Sequence, residues 1–256
     1  MFKFSYKDID FSHKLDKAST PTEHFYKHLH PFYEILYFVK GNVTYTVESE
    51  TRKLVPGDIV FIEPNKYHFA VVDLNVPYER YVLKFPVTIL PLFIIEKLSS
   101  FSPFIPDAKK FSSFFSQMDY YMSMFETEEL HTLLVCELMK FLIMICQEPI
   151  QNTQKTNVFI EKIIKYIDEN LCNNITLDML VEEFHFCKSY INNKFKEYMK
   201  IPIMHYIRSK KIVAAHRLIL SGKKKMEVAQ IYGFDNYSTF YRAYSQFLES
   251  NTFIIT

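Results

Sequence analysis

Residues 176–198, TLDMLVEEFHFCKSYINNKFKEY, and residues 224–247, KKMEVAQIYGFDNYSTFYRAYSQF, decide how the C-terminal part of the chain folds. Each stretch offers a short amphipathic segment, a brief break and a second amphipathic segment, which is the pattern of a helix-turn-helix. In the first, Thr176 stands where a hydroxyl can cap a helix over 177–184, and Asp178 meets its positive end. His185 to Cys187 form the turn, and the second helix runs from Lys188 to Met199. In the second stretch a short helix over about 225–232 is followed by a turn at Gly233-Phe234-Asp235 and a helix over about 237–248. Between the two units Pro202 opens a long helix that ends at Leu220, where Ser221-Gly222 stops it. Ahead of both, Val158, Ile163, Ile164, Ile167 and Leu171 mark one more helix.

The outward faces of the two second helices carry the chemistry. Ile191, Phe195 and Tyr198 point one way, while Lys188, Ser189, Asn192, Asn193 and Lys196 point the other. In the later helix Phe240, Tyr244 and Phe247 form the inner stripe. Ser238, Thr239, Tyr241, Arg242 and Ser245 or Gln246 face out, with Asn236 at the start. An Asn amide pairs with adenine through two hydrogen bonds, and Lys or Arg reaches phosphate or guanine. One polar helix face alone is ordinarily just a solvated surface. Two units of matching layout, joined by a helix bearing Arg208, Lys210, Lys211 and Arg217, argue instead for a rigid body. Such a body can lay two helices in successive major grooves of double-stranded DNA.

The bulk numbers agree without deciding anything. At 256 residues, 48% hydrophobic and 23% charged, the chain reads as two soluble globular domains. The net charge of +1 hides a split. From residue 158 onward 14 basic residues face 10 acidic ones, a net of +4, which leaves the remainder at −3. Cys136, Cys146, Cys172 and Cys187 show no C-x-x-C pairing and read as small hydrophobes. Met1 to Asp10 lacks an apolar targeting segment, and PLFII and FLIMIC are too short to span a bilayer. A cytoplasmic protein without a membrane partner is expected.

In the N-terminal part, residues 1–27 read as an irregular lead-in, and residues 28–88 as several short strands punctuated by turns, Pro56-Gly57-Asp58 among them. That spacing argues a β-sandwich or barrel. From about 108 the period changes to three and four, giving amphipathic helices over roughly 108–125 and 127–147. The second is apolar around much of its circumference and is a candidate surface for a homodimer. Pro149 and a polar run make 148–157 a linker. The fold class expected is α+β in two domains. Residues 1–147 make a β barrel with a helical dimerisation segment, and 158–256 an all-α domain with two helix-turn-helix motifs.

The C-terminal part resembles the AraC/XylS family of bacterial transcription regulators, on GFDNYSTFYRAYSQFLESNTFII, with Gly233, Phe234, Ser238, Phe240 and Arg242 matching, and on SYINNKFKEYMKIP in the first unit. The resemblance implies that Lys188, Ser189, Asn192 and Asn193 make most sequence-specific contacts. The chain departs from the family pattern at Tyr244-Ser245-Gln246, where a phosphate-binding Lys is missing, and over Glu249 to Ile255. His28-x-His30-x-x-x-Glu34, Gly41, Pro56-Gly57-Asp58 and His68 together resemble the cupin motif pair. Strand alternation would place residues 28, 30 and 34 on one face, although Pro31 interrupts it. Three histidines and a carboxylate suit a divalent metal.

Three readings of His28, His30, Glu34 and His68 stand side by side: the lining of an effector pocket without metal, a metal site used for sensing, or a structural remnant. The first is adopted, with no metal, cofactor or catalytic residue assigned. The function expected is a sequence-specific transcription regulator controlled by a small-molecule effector, sugars included, in the cupin-like barrel. RNA polymerase is a further candidate partner. The rival is a metal-dependent cupin enzyme with a helical interaction domain, which leaves the tandem helix-turn-helix unexplained.

Overall fold

The computed structural model describes residues 1–16, 28–73, 75–99, 101–148 and 155–250. Its N-terminal half is built on two antiparallel sheets. Strands β1 (Phe2–Tyr6), β2 (Ile9–Asp16), β3 (Tyr33–Lys40), β6 (Ile59–Ile62), β8 (Tyr78–Phe85) and β9 (Phe104–Ile105) form one, in the order β1-β2-β8-β3-β6-β9. Strands β4 (Val43–Val47), β5 (Glu50–Lys53), β7 (His68–Val72) and β10 (Lys155–Thr156) form the other, in the order β10-β5-β4-β7. The expected α+β class is what the chain adopts. The space between the sheets is filled by Leu36, Phe38, Val43, Tyr45, Val60, Ile62, Tyr78 and Val82, all buried. Gly57, with φ +99, serves the Pro-Gly turn, and a Cβ there would lie 2.5 Å from the Lys109 side chain.

Three helices follow: α1 (Leu92–Leu98), α2 (Ser112–Tyr121) and α3 (Thr127–Ile145). Leu130, Leu134, Leu138, Phe141 and Leu142 of α3 join Phe114 and Phe115 of α2 against Tyr37 and Tyr81 of the larger sheet. The apolar girth of α3 is therefore largely satisfied within its own half, and Ile143 and Met144 remain exposed at 47% and 50%.

The lead-in expectation fails for residues 2–16. Phe2, Phe4 and Tyr6 alternate with polar residues, as do Ile9, Phe11 and His13. The turn at Lys7, φ +50, folds the two runs into a hairpin, with Phe4 opposite Phe11. Residues 17–27 of the lead-in, 149–154 of the linker and 251–256 of the divergent ending lie outside the described residues. The last part of the expected linker is not a free connection: Lys155 and Thr156 pair with Thr51 and Glu50 of β5.

Among the described residues the C-terminal half has six α-helices: α4 (Val158–Glu169), α5 (Leu177–Phe184), α6 (Lys188–Met199), α7 (Ile203–Leu220), α8 (Lys225–Ile231) and α9 (Tyr237–Ser250). Local chemistry sets their ends. The Asn157 side chain accepts from the Ile160 amide and Thr176 from the Met179 amide, while His185 closes α5 in the left-handed region at φ 58. Gly233 sits at φ +61 with Asn174 N only 3.0 Å from where a Cβ would stand, so the second turn needs both its freedom and its small size. Two cores result. One joins Ile160, Ile163, Leu180, Ile191, Phe195, Met199 and Tyr206 to Leu29, Tyr67 and Phe69 of the sheet half. The other gathers Ile212, Ala215, Val228, Phe240 and Tyr244.

Candidate nucleic-acid interface and histidine cluster

The outer face of α6 is open. Lys188, Ser189, Asn193 and Lys196 are exposed and Asn192 half-buried, while Ile191, Phe195 and Met199 anchor the opposite face with no accessible surface. Lys188 Nζ lies 2.6 Å from Asp178 Oδ1, an exposed pair that a phosphate can displace at small cost. On α9, Asn236, Ser238 and Arg242 are exposed and Thr239 half-buried. Asn236 is already engaged locally, since its Oδ1 accepts from the Ser238 amide at 2.7 Å at the start of the helix. Thr239, Arg242 and Gln246 line a cavity of about 540 Å³ whose opposite wall is His28, Leu29 and Tyr67 of the sheet half.

The basic connecting helix needs correction. Arg208 and Arg217 are exposed, but Lys210 and Lys211 are 2% and 5% exposed. Lys210 Nζ reaches Glu48 Oε1 at 3.2 Å and Asp168 Oδ1 at 2.8 Å, and Lys211 Nζ donates to the Asn173 carbonyl at 2.7 Å. Burial lowers the Lys210 pKa, but the Glu48 and Asp168 charges outweigh it and the net shift is upward, so the ammonium persists. Neither lysine is available to DNA. Glu48, which sequence reasoning missed, is the hub of this contact. Held at φ 50 between β4 and β5, it accepts from the Tyr67 amide at 2.8 Å, from Lys210 and from the Tyr206 hydroxyl. Nearby, Tyr198 on α6 donates to the Ser49 carbonyl at 2.6 Å and lies 3.1 Å from Thr51 Oγ1.

The structure brings His28, His30, Glu34 and His68 together, though not by strand alternation. Pro31 breaks the run, β3 starts only at Tyr33, and His28 instead forms a bridge to His68. One ligand atom from each of the four lies within 4.8 Å of all the others. His30, Glu34 and His68 are buried at 1%, 5% and 0% exposure. His30 Nε2 is 3.0 Å from Glu34 Oε2, and Lys84 Nζ is 3.4 Å from the same oxygen. Burial pushes the His30 pKa down to about 4 against the pull of Glu34, and it holds His68 well below the usual imidazole range. Burial alone would raise Glu34; Lys84 and His30 more than offset it and keep the carboxylate ionised. Three aromatic rings of the sheet half are engaged in ring contacts: Tyr33 stacks on Phe85, Tyr37 on Phe115 and Tyr45 on His68.

Residues 15–134 match the family model described as AraC-like ligand binding domain. The Msm operon regulatory protein of Streptococcus mutans is 22% identical over 226 residues, covering 84% of this chain and 80% of that protein. The HTH-type transcriptional activator AarP of Providencia stuartii is 26% identical over 99 residues, covering 38% of this chain and 73% of that protein. Residues 15–134 thus carry an AraC-like ligand binding domain. Both relatives are named as regulators of transcription. Among solved structures, the AraC-like transcriptional activator CuxR aligns with a TM-score of 0.44 at 14% identity, over 84% of this chain and 77% of that one. No helix among the described residues is long and apolar enough to cross a membrane.

Proposed function

We propose that this chain regulates transcription by reading double-stranded DNA with α6 and α9 and by sensing a small molecule in its N-terminal half. Residues 1–147 form the sensing half, 148–157 the connection and 158–256 the DNA-binding half. On α6, Asn192 and Asn193 read base edges, Lys188 and Ser189 assist at the helix start, and Lys196 meets phosphate. On α9, Ser238, Thr239 and Arg242 contribute, while Asn236 acts mainly by capping the helix. The observation that carries this reading is the open polar face of α6 on a helix whose apolar face is wholly buried.

The same helix is fastened to the sensing half through Tyr198, and its core accepts Leu29, Tyr67 and Phe69. A molecule that binds one arrangement of this seam more tightly than another changes DNA affinity by that difference. Two copies joined through the 112–145 helical segment belong to the same reading; sedimentation showing only monomer at micromolar concentration would remove that part.

The test is a set of gel shifts on DNA fragments selected from genomic DNA by the purified chain. Asn192→Ala and Asn193→Ala should each lower discrimination at a single base pair by about 1–3 kcal/mol. Lys196→Ala should weaken every sequence and reduce the salt slope by about one unit. Equal, sequence-independent losses in all three would remove the reading role of the Asn pair.

A further inference from the structure

The cavity of about 540 Å³ on the seam between the two halves falls in the range of about 300–1,000 Å³ usual for small-molecule sites. His205, Arg208 and Ile212 of α7 line it, as do Thr239, Arg242 and Gln246 of α9, each set spaced three or four apart on its helix. Its charge is one-sided. Arg208 and Arg242 form no ion pair and no hydrogen bond among the described residues, and no Asp or Glu is among the described residues of the lining. The chain's overall composition does not account for this, since the net charge is only +1. A second cavity, of about 560 Å³ between the sheet half and α4, is lined by six carboxylates and two lysines. Tyr67 adds an independent sign. It lines the arginine cavity at 3% exposure, and its hydroxyl is buried without a hydrogen-bond partner among the described residues. A buried donor with no acceptor is costly to keep, and two guanidiniums with no carboxylate repel one another across a shared cavity. An oxyanion relieves both.

We infer that this cavity binds a small organic phosphate, its head held by Arg208, Arg242 and the Tyr67 hydroxyl, and that the ligand withdraws Arg242 from DNA. Guanidinium forks match phosphate oxygens in pairs, and two of them balance a phosphate monoester, which carries about −1.5 to −2 at neutral pH. Leu29, Val213 and Phe247 complete the wall and suit an apolar or aromatic body, which a bare inorganic ion would leave unused. The space between the two sheets is already filled by side chains, so the seam is where a molecule of this size fits. Control follows from one shared residue. Arg242 belongs to the DNA-facing set of α9, and a guanidinium engaged inside the cavity is not free for the DNA backbone. Ligand and DNA then compete, each lowering the other's affinity by the same factor. Leu29 and Tyr67 also enter the core beneath α6, so the ligand touches the footing of the first unit as well. The control part of the inference rests on the regulator reading above; the binding site does not.

The full-length chain is titrated by calorimetry with phenyl phosphate, and with inorganic phosphate and phenol as the head and the body alone. Phenyl phosphate should bind one equivalent per chain, at least about tenfold more tightly than either part. Arg208→Gln and Arg242→Gln should each weaken it by at least about tenfold, the usual worth of a charge-assisted hydrogen bond. Tyr67→Phe keeps the ring and should weaken it by about fivefold without lowering the unfolding temperature, because the hydroxyl it removes had no partner. No saturation below about 10 mM, or unchanged affinity in both arginine variants, would overturn the site. If ligand-free Arg208→Gln then also binds DNA more weakly, the two guanidiniums serve the DNA backbone instead. Inorganic phosphate binding as tightly as phenyl phosphate would overturn the organic ligand. On selected DNA at matched ionic strength, saturating phenyl phosphate should weaken wild-type binding by at least about fivefold and leave Arg208→Gln unaffected. Unchanged wild-type affinity would overturn the control part. No DNA binding with or without phenyl phosphate would instead fail the regulator reading and leave the site to stand on the calorimetry.

Discussion

The two helix-turn-helix units share a layout but not a foundation. The first is built on a core that runs on into the sheet half, through Leu29, Tyr67 and Phe69, and its second helix is tied by Tyr198 to Ser49 and Thr51. The second unit rests on a separate buried core of α7, α8 and α9, from Ile212 to Tyr244, which meets the first only through the partly buried Leu171 and Phe247. The contrast teaches that a change in the sensing half reaches α6 directly, whereas α9 feels it through α7 and across the cavity that Thr239 and Arg242 share with His28.

The sharpest way to break this contrast is to empty each core in turn. Phe195 and Phe240 are equivalent rings, both without accessible surface. Phe195→Ala and Phe240→Ala should each cost about 3–5 kcal/mol, the usual range for deleting a buried ring. Their reach should differ. Phe195→Ala is expected to speed amide exchange in α5, α6 and also around Tyr67 and Phe69, while Phe240→Ala confines the change to α8, α9 and the end of α7. Amide hydrogen exchange that spreads equally from both sites would dissolve the distinction between the two foundations.

Next in size is the Glu48 contact. Removing one partner of a buried ion pair leaves the other charged and poorly solvated, at a cost of about 3–5 kcal/mol. Asp168 stays beside Lys210 in Glu48→Ala, so the loss should lie near about 3 kcal/mol. Because Glu48 belongs to the sheet half and Lys210 and Tyr206 to α7, the substitution should also split denaturant unfolding into two transitions. Adding Lys210→Met should restore most of the lost stability without rejoining the transitions. A single transition with a loss below about 1 kcal/mol in Glu48→Ala would mean that apolar packing alone holds the halves together.

How much of this could be read from the sequence follows from the range of the interactions. The ends of α5 and α6 were legible because their determinants are local: Thr176 caps, and His185 turns the chain within a few residues. The hairpin of β1 and β2 carried the same kind of local signal in Phe2, Phe4 and Tyr6, but short alternation in an aromatic-rich start reads as lead-in. Lys210 and Lys211 looked solvent-facing because a helical repeat says nothing about a carboxylate 162 positions before Lys210 or a backbone carbonyl 38 positions before Lys211. The histidine cluster was legible as a set of residue types, and the route to it was not. Pro31 breaks the alternation, and the backbone bridge between His28 and His68 supplies what the strand would have. That His68 Nε2 is buried without a hydrogen-bond partner among the described residues is visible only in three dimensions.

A smaller effect refines the contrast at one bond. Tyr198→Phe removes the hydroxyl that donates to Ser49 while keeping the ring in place. The expected loss is about 1 kcal/mol of stability, typical of one hydrogen bond. If α6 is governed from the sensing half, amide exchange in α6 and around Ser49 should speed up together in Tyr198→Phe while base preference is kept. A response identical to wild type would place the coupling in the apolar contacts of Leu29, Tyr67 and Phe69.

The second unit has a weakness of its own that the first lacks. His216 on α7 is buried, its Nδ1 lies 3.0 Å from the Tyr244 hydroxyl, and its Nε2 has no hydrogen-bond partner among the described residues. Burial lowers its pKa from the ordinary 6.5, so the folded chain holds the ring neutral and the unfolded chain takes up the proton first. Unfolded protein therefore binds more protons below pH 6.5, and stability present above that pH is lost as the solution is acidified. His216→Gln keeps polarity and removes the titration. Between pH 7.5 and about 5.5, amides of α8 and α9 should lose protection in wild type and lose less in His216→Gln, with α5 and α6 alike in the two proteins. The comparison between proteins matters because His30 and His68 also titrate from depressed values and shift the whole-chain stability in the same direction. Equal loss of protection over α8 and α9 in both proteins would assign the acid sensitivity to the histidine cluster and leave the second unit no more fragile than the first.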